Sequence, residues 1–184
     1  LVERAACEGA DFIKIMISGI MDFDRFGVIT GKPYAPDEIR ELIRIAHAAG
    51  FRVMAHANGA RTVQTAAEAG VDSVEHGAYL DEAALRAMAE HGTLWTPTIV
   101  TIGNLIGCGR YPDEVLKPLF RLHAENIRRA AMLGVPIAVG SDAGAYRVLH
   151  AQGAEDERRY LEDILGEDSE ALRCGERFFD DWFT

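Results

Sequence analysis

One phrase recurs along this chain: a helical stretch, a glycine that stops it, and then a short apolar run. Leu1 to Gly9 reads as a helix end with Gly9 as its stop, followed by the run Asp11–Ile17. Ile39, Leu42, Ile43, Ala46 and Ala49 repeat at helical spacing over 37–49, Gly50 closes that helix, and Phe51–His56 is the next run. A helix over Arg61–Ala69 ends at Gly70 before Val71–His76. A helix over Asp81–His91, with Asp81 as N-cap, ends at Gly92 before Leu94–Val100. The last repeat is a helix over Asp113–Leu133, Gly134, and Val135–Gly140, with a closing helix over Ala154–Leu165. Alternation of this kind predicts parallel strands covered by helices, because a parallel crossover needs a helix-length connection. The reading is therefore α/β, with five βα units, and Pro97 is expected to end or bulge the fourth strand.

A doubly wound sheet and a barrel both satisfy the pattern. No Gly-x-Gly-x-x-Gly opens any of the helices, so a dinucleotide fold gains no support, and no phosphate-cradling Gly-x-x-x-x-Gly-Lys-Ser/Thr occurs. The segment Gly166–Thr184, ending Arg177-Phe178-Phe179-Asp180-Asp181-Trp182-Phe183, does not continue the rhythm. The domain reading is accordingly 1–165 for the α/β unit and 166–184 for a tail.

Charge narrows the partners. Nineteen Lys+Arg against 29 Asp+Glu give a net charge of −10, with no basic cluster, which argues against nucleic acid or an anionic membrane surface. No apolar run approaches the roughly 20 residues that span a bilayer. Cys7, Cys108 and Cys174 are odd in number and far apart, the pattern of reduced thiols, and Leu1–Ala6 lacks signal-peptide anatomy. The expectation is a cytoplasmic protein whose sequence here, lacking an initiator Met, begins partway through a longer chain.

The polar residues of interest sit at matching places in successive units. Lys14 lies in the first strand, His56 and His76 end the second and third, and Asp142 follows the fifth. C-terminal strand ends of a parallel sheet point to one shared face, where active sites form. Two imidazoles, a carboxylate and a lysine converging there suit a divalent metal such as Zn²⁺. Each also has a plainer reading. A strand-end histidine is ordinarily a hydrogen-bonded structural residue, and Gly140-Ser141-Asp142-Ala143-Gly144 can simply cap the next helix. A lysine inside an apolar strand is odder, since a buried ammonium needs a partner. His47 and His91 fall at helix ends and read as solvent-facing residues or as C-terminal dipole partners, and His123, mid-helix, reads as a structural residue.

The ordered set Gly9-Ala10-Asp11-Phe12-Ile13-Lys14-Ile15, Val53-Met54-Ala55-His56-Ala57-Asn58-Gly59, Gly70-Val71-Asp72-Ser73-Val74-Glu75-His76-Gly77 and Gly134–Gly144, with Trp95-Thr96-Pro97-Thr98 between, resembles the metal-dependent amidohydrolase superfamily. The resemblance is to the branch holding imidazolonepropionase-like proteins and Xaa-Pro dipeptidases. It implies a partial TIM-type (β/α)₈ barrel, with the five strands corresponding to barrel strands four to eight. Lys14 then matches the lysine carboxylated to bridge two metals, His56 and His76 match the metal histidines, and Asp142 matches the aspartate that is both ligand and catalytic proton shuttle. The implied activity is hydrolysis of an amide, dipeptide-like or cyclic C–N bond by metal-activated water, with one or two divalent ions, Zn²⁺ foremost, and a carbamate on Lys14.

Departures from the family pattern set a second expectation. The six histidines are His47, His56, His76, His91, His123 and His150, so the family's His-x-His pair is missing along with strands one to three. Asn58 stands where the branch commonly has a second histidine; with Tyr146 and His150 it is a candidate substrate contact, and Arg147 could attract a carboxylate. A half-barrel exposes strand edges that invite pairing. The alternative to an enzyme is therefore a catalytically incomplete module that oligomerises or needs a complementing N-terminal half, or a sheet closed by its tail in a non-barrel arrangement.

Overall fold

A computed structural model describes residues 2–182. Leu1 of the expected first helix, and Phe183 and Thr184 of the tail, lie outside the described residues. The elements run α1 (Val2–Cys7), β1 (Phe12–Met16), α2 (Pro36–Ala48), β2 (Arg52–Ala57), α3 (Ala60–Glu68), β3 (Ser73–His76), α4 (Glu82–His91), β4 (Leu94–Thr96), α5 (Val100–Gly103), α6 (Asp113–Met132), α7 (Gln152–Leu165) and α8 (Glu170–Asp180). The strands form one parallel sheet in the order β1-β2-β3-β4. Asp81 caps α4 as expected, its Oδ1 accepting from the Ala84 amide at 2.9 Å.

One expectation holds and one is corrected. The run Leu94–Val100 is a strand only to Thr96; Pro97 ends it, and the chain turns into the short helix α5. The fifth run, Val135–Gly140, contributes a single parallel bridge, Trp95 to Ile137, in place of a strand. Trp95 N donates to Pro136 O at 2.9 Å and Ala138 N to Trp95 O at 2.8 Å. Pro136 has no amide of its own to give, and the Ile137 amide is taken by Ala171 O of α8 at 2.9 Å.

Helices α2, α3, α4 and α6 bury one face of the sheet. Ile39, Ile43, Val53, Ala55, Val63, Val74, Leu85, Met88, Trp95 and Ile127 form the core between them. The other face follows from strand alternation. Register places Met16, His56, Glu75 and Thr96 in one row across it, with Lys14, Met54 and Ser73 in the row before. At the β1 side this face is open: Lys14 is exposed and Met16 is 60% exposed. The expected buried lysine is therefore corrected, because among the described residues no strand pairs with the far side of β1 to cover it.

The tail is helical and runs beneath the N-terminal strand ends. Gly175 packs so closely on Ile137 that a Cβ there would lie 2.0 Å from its carbonyl oxygen. At the far end Trp182 packs on Phe12, ring centroids 6.3 Å apart, and under the Arg52 guanidinium. No helix among the described residues is long and apolar enough to cross a membrane.

Candidate metal centre at the strand ends

A cavity of about 410 Å³ opens at the C-terminal ends of the strands. Lys14, His56, Asn58, His76, Asp142 and Tyr146 all line it, so six of the eight candidate residues named from the sequence meet there, while Arg147 is exposed outside it. Nor does His150 line it; it is exposed in the loop before α7. The rest of the wall is largely apolar, made by Met16, Ile20, Met21, Phe23, Leu105 and Tyr111.

The loop between β1 and α2 forms the roof at Ile20, Met21 and Phe23. It is held as a narrow antiparallel turn by the Met21–Ile29 bridge. Gly19 lies so close to Thr30 that a Cβ would sit 1.3 Å from its carbonyl oxygen, which restricts the position to glycine. The Gly19 carbonyl then accepts from His56 Nε2 at 3.0 Å and from Asn58 Nδ2 at 3.1 Å. With Nε2 as the protonated nitrogen, His56 keeps its lone pair on Nδ1.

His76 reaches the cavity by a different device. Alternation from Glu75 would turn its side chain toward the helices, but His76 and Gly77 adopt left-handed backbone, φ 71° and 67°. That twist brings the His76 ring against His56, centroids 4.6 Å apart and tilted 64°. Trp95 Nε1 donates to the His76 carbonyl at 3.0 Å, and Thr98 Oγ1 lies 2.7 Å from His76 Nδ1. The Thr98 hydroxyl can accept from a protonated Nδ1, the tautomer that leaves the Nε2 lone pair for the cavity, or donate to a bare Nδ1. Burial, with the neighbouring His56, Lys14 and His123 adding to it, lowers the His76 pKa to about 3, so the ring is neutral at ordinary pH.

Each histidine has one nitrogen held by an oxygen, and with Nδ1 of His76 protonated both offer a lone pair, the arrangement that orients metal-binding imidazoles. The third ligand is not in place. Among the described residues no three His, Cys, Asp or Glu side chains stand close enough to hold one ion. Asp142 lines the cavity without completing such a group. It occupies an exposed turn with φ 54°, and the segment before it is tied to the sheet by one bridge only.

The residue model of the amidohydrolase family matches 1–167. The chain belongs to the amidohydrolase family. It is 31% identical to the imidazolonepropionase of Ectopseudomonas mendocina over 147 residues, 78% of this chain and 30% of that protein. A solved prolidase complexed with N-methylphosphonate-L-proline superposes with a TM-score of 0.73 at 31% identity, covering 97% of this chain and 45% of the other. A solved Xaa-Pro dipeptidase with methionine in its active site gives 0.74 at 27% identity, covering 94% and 43%. The chain spans about a third of the length of the curated relatives it matches.

In this amidohydrolase-family chain Asn58 is 2% exposed and fully engaged. Besides Gly19 it binds the Ala78 amide through Oδ1 at 2.9 Å, tying the β1 loop to the β3 turn. Tyr146 is half-exposed, with the Arg110 guanidinium 4.4 Å above its ring. Sequence reasoning passed over three residues. Glu75 is buried in the sheet row beside His56, accepts from the Ser73 hydroxyl, and is pushed upward in pKa chiefly by burial; period-two reading of β3 would have found it. Thr98 and Glu157 had no local signal, one following a strand-ending proline and the other sitting in an acid-rich helix.

Proposed function

We propose that this chain carries part of the active centre of a hydrolase of C–N bonds, acting on a dipeptide, an acyl-amino acid or a cyclic amide. The observation that supports it most is the pair of imidazoles lining a largely apolar cavity, His56 with Nε2 bonded to the Gly19 carbonyl and Nδ1 free, and His76 with Nδ1 bonded to Thr98. His56 and His76 are the residues that would hold a divalent ion, Zn²⁺ by donor type, with Lys14 as carbamate and Asp142 as further ligands. When bound, such an ion supplies Lewis acidity and lowers the pKa of water. Asp142 accepts a proton from the attacking water on a carboxylate oxygen and passes it to the leaving nitrogen. The apolar wall of Ile20, Met21, Phe23 and Leu105 receives the substrate's side chain and excludes water from it. The prolidase and Xaa-Pro dipeptidase likenesses favour dipeptides among the candidate substrates. Three unpaired cysteines fit a cytosolic location, and residues 1–165 are taken as the catalytic unit with 166–184 appended to it.

The second reading is a module that is incomplete alone and completed by another copy or another chain. The open sheet face at Lys14 and Met16 and the missing third ligand favour it. Zinc titration followed by dialysis and metal analysis separates the two. Less than two equivalents, lost in both His56→Ala and His76→Ala, is expected. Two tightly held ions would contradict the significance given to the absent His-x-His pair. No retained zinc, with no hydrolysis of Xaa-Pro dipeptides, would leave the module.

A further inference from the structure

Thr98 stands in left-handed backbone, φ 49°, a conformation that a β-branched residue rarely holds unless its surroundings enforce it. Four contacts do so. His123 Nε2 donates to the Pro97 carbonyl at 3.0 Å, and Thr101 Oγ1 donates to the Thr98 carbonyl at 2.8 Å. The other two come from Glu157 on α7, whose side chain is wholly buried. Its Oε1 accepts from the Ile99 amide at 3.1 Å and its Oε2 from the Val100 amide at 2.7 Å. Burial pushes the Glu157 pKa up to about 8 against the pull of these amides, so holding a carboxylate here is costly, and a leucine would fill the space as well. What a carboxylate alone offers is two acceptors at a fixed spacing, matched to two consecutive amides of a bent segment. The bend serves one visible end: it turns the Thr98 hydroxyl onto His76 Nδ1, 2.7 Å away.

We propose that Glu157 is a positioning residue for the His76 imidazole, acting through Thr98. The carboxylate clamps Ile99 and Val100, the clamp holds Thr98 in its left-handed turn, and the hydroxyl so placed fixes the ring with Nδ1 protonated and Nε2 bare. The ring's orientation follows from the geometry and the Nδ1-protonated tautomer belongs to the proposal; any effect on metal affinity rests on the reading of His76 as a ligand.

The test uses the full chain labelled with ¹⁵N. Long-range ¹H–¹⁵N correlation of the histidine rings, without added metal, reports each tautomer, and competition with a chromophoric chelator reports Zn²⁺ affinity. Wild type is expected to show His76 as a single Nδ1-protonated form. Thr98→Val keeps the shape and removes the hydroxyl, and mixed tautomers are expected; Thr98→Ser restores the single form. Glu157→Gln leaves Thr98 untouched but presents an NH₂ where an acceptor is needed. Mixed His76 tautomers and a 10- to 100-fold loss of Zn²⁺ affinity are expected, with the resonances of His47, bonded to Asp72 away from the bend, unchanged as the control for fold. If Glu157→Gln does not fold, Glu157→Asp, which withdraws the carboxylate by one methylene, takes its place under the same expectations. A folded Glu157 variant with wild-type His76 tautomer overturns the proposal, as does a single tautomer in Thr98→Val. Loss of fold in both Glu157 variants makes the residue structural only and overturns it too. Failure of the wild-type chain to bind Zn²⁺ would refute the metal reading while the tautomer comparison still decides this one.

Discussion

Acid should destabilise this protein through His123, and the effect can be isolated. The ring is 1% exposed on α6, edge-on to Trp95 with centroids 5.5 Å apart. Its Nε2 donates to Pro97 O, and its Nδ1 has no partner. Burial lowers its pKa from 6.5 to about 4, against a smaller opposing effect of the Pro97 bond. Below about 6.5 the unfolded chain takes up a proton that the folded chain refuses, so stability falls as pH falls, by at most 1.36 kcal/mol per pH unit. The loss is complete near the folded value and amounts to about 3 kcal/mol. His123→Phe keeps the ring against Trp95 and removes the titration. It costs about 1–2 kcal/mol at pH 7, because the Pro97 carbonyl loses its donor. Urea unfolding of both proteins from pH 7.5 to 4.5 measures the difference; His76, which His123 helps to lower, has a folded pKa of about 3, below this range, so its contribution changes little between the two. Wild type should be the more stable at pH 7 and the less stable at pH 4.5. Parallel curves over that range would refute the assignment of a neutral, buried ring.

Other perturbations address the same region. Gly77→Ala places a Cβ 2.6 Å from Trp95 Nε1 on backbone with φ 67°, so a loss of about 2 kcal/mol or more and a lower Tm are expected; an unchanged Tm would show that the turn after His76 is not constrained. Asn58→Ala strips the Ala78 amide of its buried acceptor and should cost about 1–3 kcal/mol by denaturant unfolding. A neutral result would free Asn58 for contact with substrate. Asp142→Asn should abolish hydrolysis of a dipeptide while leaving the unfolding midpoint within about 0.5 kcal/mol, because the side chain is exposed in its turn; retained turnover would remove Asp142 as the proton shuttle.

The repeated glycine-stopped helices predicted a parallel sheet because each glycine marks a physical necessity, the end of a crossover. The strand-end histidines were legible for the same reason: parallel strands bring their ends together wherever they lie in sequence. What the sequence hid is local geometry that depends on distant partners. Val135–Gly140 has the composition of a strand, yet Pro136 and the capture of the Ile137 amide by α8 reduce it to one bridge. Lys14 reads as buried among Phe12, Ile13, Ile15 and Met16, but alternation puts it on a face with nothing opposite. His76 reaches the cavity only because left-handed backbone reverses its direction, and no residue type at that position announces it. Glu157 is indistinguishable by composition from Glu155 on the same helix, since only the fold brings one of them to the amides after Pro97.

The opposite tautomers proposed for the two site histidines would make them chemically unlike as targets for substitution. Nδ1 stands close to the backbone and Nε2 far from it. The carboxamide of asparagine reaches about as far as the first, and that of glutamine about as far as the second. At position 56, asparagine would keep a donor atom near the place His56 offers one, and at position 76 glutamine would do so. Exchanging the two replacements would set each oxygen short of or beyond its point, so a swapped pair should fail where the matched pair retains some zinc.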